Sequence, residues 1–167
     1  MVDNLLHSID EDAIDILINN AGIYGERSIF GNVSSNDWQK VFHVNVIAPM
    51  MLTQTLVHKI AASRERKIIF MTSKMGSIED NQRGGSYVYR SSKAALNAVG
   101  KSLSIDLLHQ HIKVALLHPG WVKTDMGGKD APLDVVTSVS GLINVIDRLK
   151  ENQSGHFLNY AGTVIPW

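Results

Sequence analysis

The chain has 167 residues, 44% of them hydrophobic, enough for one domain with a substantial apolar core. Sixteen basic residues balance sixteen acidic ones, and zero formal charge argues against nucleic acid or an anionic membrane as the main partner. With no cysteine, disulfides and thiolate chemistry are excluded. No apolar run approaches the 18 or so residues of a membrane span and the N-terminus has no signal-peptide core, so a cytoplasmic location is expected.

In chain order, Val2 to Ile9 reads as the last turns of a helix and Asp15 to Ile18 as an apolar strand. That strand runs into a turn of Asn19, Asn20, Ala21 and Gly22. Ser34 or Ser35 can cap a helix from Asn36 to about Ser63. The charged cluster Arg64-Glu65-Arg66-Lys67 reads as a solvated loop before a strand from Lys67 to Thr72. A long loop leads to a helix from about Ser86 to His109, with Ala95, Val99, Leu103 and Leu107 four apart on one face. Val114 to Leu117 predicts a strand, Asp134 to Lys150 an amphipathic helix, and His156 to Asn159 a last strand. Short apolar strands joined by helical crossovers predict an α/β protein with a parallel sheet and flanking helices.

Tyr89 and Lys93 stand four residues apart in the third helix, so the phenol and the ammonium share a face. A nearby cation favours phenolate, which would move the tyrosine pKa down towards the neutral range. Trp38, Phe42, Asn45, Pro49, Leu52 and Leu56 fall on one helical stripe, placing the Asn45 amide towards the core. Pro49 has no N–H for the Asn45 carbonyl, so a kink is expected there. The seven histidines show no metal spacing, and His109 and His111 read as a solvated pair. Trp121, Trp167 and Met126 fit either an apolar substrate wall or the core.

Five ordered motifs carry a closer resemblance: Asn19-Asn20-Ala21-Gly22, Asn45 within His-Val-Asn-Val, Ser73 with Gly76, Tyr89 with Lys93, and His118-Pro119-Gly120 through Thr124 and Asp125. In these the chain resembles the short-chain dehydrogenase/reductases over essentially its whole length. Tyr87-Val-Tyr89-Arg, Lys93-Ala-Ala-Leu-Asn97, Asp125-Met-Gly-Gly128 and the Ile165-Pro-Trp167 end are similar to the sniffer-type carbonyl reductase and C-factor-like branch.

The resemblance implies a Rossmann-like domain and hydride transfer between a nicotinamide cofactor and a carbonyl or secondary alcohol. It makes Asn45, Ser73, Tyr89 and Lys93 the catalytic set. Tyr89 is the implied general acid, Ser73 the group that binds the substrate carbonyl, Lys93 the holder of the nicotinamide ribose, and Asn45 the holder of a relay water. Asn19, Ala21, Gly22, Pro119, Gly120, Val122 and Thr124, with Tyr89 and Lys93, are the implied cofactor contacts. NADP is the implied cofactor, with NAD as the alternative, and a small carbonyl compound is the substrate class.

A glycine-rich phosphate-binding turn is missing from this pattern. No spacing from Gly22 to Gly31, Gly76 to Gly85 or Gly120 to Gly128 fits one. The chain therefore reads as a single C-terminal portion of such a domain, residues 1–167, with about the last four strands of the sheet. By this reading roughly 70–80 residues, two βαβ units, are lacking. The strand at Asp15 to Ile18 then becomes an edge, which predicts self-association, as a homo-oligomer, or marginal stability, or a missing partner segment. The alternatives to an enzyme are a catalytically silent signalling or interaction protein of the C-factor-like kind, or an incomplete fragment.

Overall fold

The structure, a computed structural model, describes residues 9–167; the helix expected over Val2 to Ile9 lies, apart from Ile9, outside the described residues. Four strands form one parallel sheet in the order β1-β2-β3-β4: Ile16–Asn19 (β1), Lys67–Met71 (β2), Lys113–His118 (β3) and His156–Asn159 (β4). Ile16 pairs with Lys67, Lys67 with Lys113 and Ala115 with His156. Ile68, Ile69 and Phe70, like Val114 through Leu117, are fully buried on both faces, the continuous apolar run that parallel strands require.

Alternate strand residues divide two cores. Ile68, Phe70 and Val114 face Leu56 and Ile60 of one helix and Leu96 and Leu103 of another. Ile69, Ala115 and Leu117 face Leu142, Ile146 and Leu149 on the opposite side. The helices are Ser35–Phe42 (α1), Ala48–Ala61 (α2), Tyr87–Asp106 (α3) and Val135–Asp147 (α4). Ser34 caps α1 by accepting the Asp37 N–H, and Asp134 caps α4 by accepting that of Thr137. Against α3, the sheet needs a glycine at Gly100: an added Cβ would come within 2.7 Å of Leu116.

The helix expected from Asn36 to Ser63 is divided by a wide π turn at His43–Ile47, with the Ala48 N–H reaching back to His43 O. The distortion falls one turn before Pro49, whose missing N–H releases the regular ladder there. The extra residue in that turn rotates the predicted stripe. Val41, Asn45, Pro49, Thr53, Leu56 and Ile60 face inward, while Trp38 is exposed.

The charged cluster Arg64 to Lys67 is likewise not a solvated loop throughout. Lys67 opens β2, is 3% exposed, and directs its ammonium to Glu65 at 2.6 Å. Arg66 adopts a left-handed conformation and donates to Ser63 O and Gln110 O, tying the two crossovers together at the amino ends of β2 and β3. No helix among the described residues is long and apolar enough to cross a membrane.

Candidate active site

The loops at the carboxyl ends of β1 and β2 meet the first turns of α3, the end of a parallel sheet where ligands collect. Tyr89 and Lys93 both point inward and are nearly buried, 8% and 4% exposed. The Lys93 ammonium donates to Met71 O at 2.9 Å and lies 5.7 Å from the centroid of the Tyr89 ring. Burial pushes the Lys93 pKa down to about 8.

Burial acts on Tyr89 in the other direction. Removal from water raises the phenol above its ordinary value; the Ser73 hydroxyl pulls it down, and Tyr24 adds a smaller upward push. The expectation that Lys93 draws the Tyr89 pKa down is therefore not met. The ammonium is engaged by Met71 O and lies over the ring, so desolvation dominates.

Ser73 follows β2 and caps a short 3-10 turn, Lys74–Gly76, by accepting the Met75 N–H at 3.2 Å. The close packing of this turn on α3 is why the third residue after Ser73 is glycine. A Cβ on Gly76 would stand 2.8 Å from the Lys93 carbonyl carbon. Beside it, the Thr72 hydroxyl donates to Lys93 O at 3.4 Å, so Thr72 is committed to the helix backbone while Ser73 faces Tyr89.

Asn45 is completely buried in the π turn. Its Oδ1 accepts Ile23 N–H at 2.9 Å, and its Nδ2 donates to Ile23 O at 2.9 Å and to Ser92 Oγ at 3.0 Å. Ser92 in turn donates to Tyr89 O at 2.8 Å. One amide thus joins the loop after β1 to the turn of α3 that bears Tyr89. Gly22 fits into the same junction: a Cβ there would lie 3.3 Å from Lys93 Nζ and 3.4 Å from Asn45 Oδ1.

The remaining predicted contacts separate into two groups. Ala21 is open at the surface beside Gly22, whereas Asn19 is buried and donates through Nδ2 to Thr53 Oγ1 at 3.3 Å, towards α2. Pro119 and Gly120 follow β3, with Pro119 O accepting the buried Ser138 hydroxyl at 2.6 Å. Gly120 has a positive φ of 90°, and an added Cβ would meet Leu133 at 2.7 Å. Val122 forms a bridge with Leu133, and the Thr124 hydroxyl accepts the Gly127 N–H at 3.1 Å.

Two hydrogen bonds hold the turn at Gly127 and Gly128: Trp121 Nε1 donates to Gly127 O at 2.7 Å and Gly128 N–H to Thr124 O at 2.8 Å. Trp167 stacks on Phe157 at 5.7 Å, whereas Trp121 and Met126 stand largely in solvent. His111 pairs with Glu151 at 3.1 Å, and no group of three potential metal ligands exists among the described residues.

Three participants escaped the sequence reading. Ser92 shares a helical face with Tyr89, and its spacing could have revealed it. Ser138 and Tyr24 are distant in sequence from their partners, and only the fold brings them there. Tyr24 stacks on Tyr89 with ring centroids 4.4 Å apart and planes 22° from parallel.

A parallel sheet covered by helices on both faces, with a buried tyrosine–lysine–serine cluster at its carboxyl ends, defines a Rossmann-like α/β protein. The chain belongs to the short chain dehydrogenase family, whose model matches residues 1–133. It is 44% identical over 154 residues to C-signal of Myxococcus xanthus, covering 92% of this chain and 93% of that protein. Among solved structures it is similar to the carbonyl reductase Sniffer of D. melanogaster, with 41% identity and a TM-score of 0.92. An NADPH-bound carbonyl reductase from chicken fatty liver gives 35% identity and a TM-score of 0.90. In both comparisons 99% of this chain is covered, but 71% of the solved one.

Proposed function

We propose that the chain is an NAD(P)-dependent oxidoreductase that transfers hydride between a nicotinamide cofactor and a carbonyl compound or secondary alcohol, with Asn45, Ser73, Tyr89 and Lys93 as its catalytic set. The observation that supports this most is the convergence of Ser73, Tyr89 and Lys93, all nearly buried, at the carboxyl ends of the strands. Three polar groups so deprived of water cost stability, and a reaction that uses them accounts for the cost.

The residues fit the nicotinamide–ribose half of such a cofactor. Gly22 leaves a gap beside Lys93 and Asn45 that a single Cβ would fill, Ala21 opens beside it, and Lys93 has N–H donors beyond the one given to Met71 O. Pro119, Gly120, Val122 and Thr124 would hold the carboxamide side, and Asn19 would support the strand end from behind. NADP is the preferred form, by likeness to the NADPH-bound neighbour.

The bound nicotinamide would supply or accept the hydride. In reduction, Ser73 Oγ holds the carbonyl oxygen beside the Tyr89 hydroxyl. As the carbon–oxygen π bond opens, the Tyr89 proton passes to that oxygen and gives the alcohol. A phenol whose pKa is raised by burial stays protonated at neutral pH, the form that donates. Lys93, with a pKa of about 8, is charged there yet able to return a proton to the phenolate. Asn45 keeps the loop after β1 seated against Lys93.

The test is oxidation of NADPH in the presence of small aldehydes and ketones, with Tyr89→Phe as control. Turnover by the parent chain and its loss in the variant support the reading; equal background rates in both oppose it. A catalytically silent signalling or interaction role is the second reading, favoured by the 44% identity with C-signal. Self-association through the outer edge of β1, where Ile18 is 49% exposed, is compatible with either.

A further inference from the structure

Tyr24 is absorbed by none of the roles above, yet it makes the closest aromatic contact in the site. Its ring lies against the face of Tyr89 at 4.4 Å, in a near-parallel stack. Its hydroxyl is hydrogen-bonded to Ser86 Oγ at 2.8 Å. Ser86 occupies the N-cap of α3 in a left-handed conformation, φ 48° and ψ 40°, and its side chain caps no helical N–H. A non-glycine residue holds such a conformation only where its surroundings enforce it. Two contacts from one segment do so here: Tyr24 holds the side chain, and Ser28 O accepts the Ser86 N–H at 2.9 Å.

From this arrangement we propose that Tyr24 is a positioning residue for the reaction, a clamp that fixes the plane and the dryness of the Tyr89 phenol through its ring while Ser86 anchors its hydroxyl. This rests on the reductase reading above and deepens it. The Tyr89 ring can pivot about its side-chain bonds unless a surface lies against its face, and the Lys93 ammonium stands 5.7 Å from the ring centroid, farther than Tyr24. Tyr24 supplies that surface and shuts out water. The loop that carries it is seated by Asn45 on Ile23, the preceding residue, so that Asn45, Tyr24 and Tyr89 form one mechanical unit.

The test compares Tyr24→Leu, Tyr24→Phe and Ser86→Ala by two readouts: the titration of Tyr89, followed by NMR of isotope-labelled tyrosine, and steady-state carbonyl reduction. In Tyr24→Leu the Tyr89 titration moves down by about half a unit or more as water reaches the phenol. Turnover falls about tenfold while KM for the cofactor holds. Tyr24→Phe keeps the stack and recovers most of both, and Ser86→Ala lies between. The clamp is overturned if Tyr24→Leu titrates and turns over as the parent does, or if Tyr24→Phe is as impaired as Tyr24→Leu. Should Tyr24→Leu fail to fold, Ser86→Ala decides by the same two readouts. A parent chain that reduces no carbonyl removes the reductase reading, while the Tyr89 titration still judges the clamp.

Discussion

Asn45 and Ile23 exchange two hydrogen bonds of 2.9 Å, the side-chain amide of one pairing with the backbone of the other as a strand residue would. This pair joins a π turn in one helix to the loop after β1, and the remaining Asn45 proton reaches Ser92 beneath Tyr89. Asn45→Ala leaves the Ile23 N–H and carbonyl without partners, at a cost of roughly 1–3 kcal/mol. Asn45→Asp places an acceptor against Ile23 O and costs at least as much. Urea unfolding of the two variants measures both.

Gly76 lets the turn that begins at Ser73 pack against the α3 backbone at Lys93. In Gly76→Ala the new methyl group must displace the α3 backbone at Lys93, a strain of about 1–3 kcal/mol. Turnover falls further than in a variant of equal stability loss elsewhere, because the displaced turn begins at Ser73. Paired unfolding and turnover measurements against Ile69→Val in the opposite core separate the two effects.

Lys93 contributes to the pH dependence of stability above pH 8. Its folded pKa of about 8 lies below the ordinary 10.5, so between those values the unfolded chain binds more protons than the folded one. Stability from this group therefore rises with pH from about 8 towards 10.5, by about 1.4 kcal/mol per unit at most. Tyr89 has the reverse sign: its raised folded pKa gives stability that is present below pH 10 and lost above it. Lys93→Met abolishes the rise between pH 8 and 10, and unfolding midpoints across that window show it.

Tyr89→Phe keeps the buried ring and its stack on Tyr24. It lowers carbonyl reduction about 10²–10⁴-fold, the range for loss of a general acid. The unfolding midpoint stays close to that of the parent, since the Tyr89 hydroxyl is offset by its own desolvation. Stopped-time product analysis and thermal unfolding on the same samples check both halves.

The strands were legible because parallel strands buried on both faces carry uninterrupted apolar runs, as at Ile68 to Phe70 and Val114 to Leu117. The cap of α1 was legible as one of two candidates, Ser34 or Ser35, because a cap acts on an N–H only three residues away; the structure selects Ser34. Tyr89 and Lys93 were found by helical spacing. The π turn was only half legible, since Pro49 announces a broken ladder without saying on which side the extra residue falls. Lys67 was rightly read as opening a strand, but its burial was missed because its partner Glu65 lies in the cluster that made it look solvated, and the strand register that buries it involves Lys113. The stack of Tyr24 on Tyr89 was beyond reach, for nothing local in either segment refers to the other.

A working nicotinamide site formed by Tyr89, Lys93 and the gap beside Gly22 requires saturable cofactor binding. The most direct measurement is a titration of the chain with NADPH and NADH, followed by nicotinamide fluorescence. Saturable binding, modestly weakened by Tyr89→Phe and largely lost in Lys93→Ala, is the predicted result. Absence of saturation with both cofactors at millimolar concentration would rule out such a site and leave the signalling or interaction role in its place.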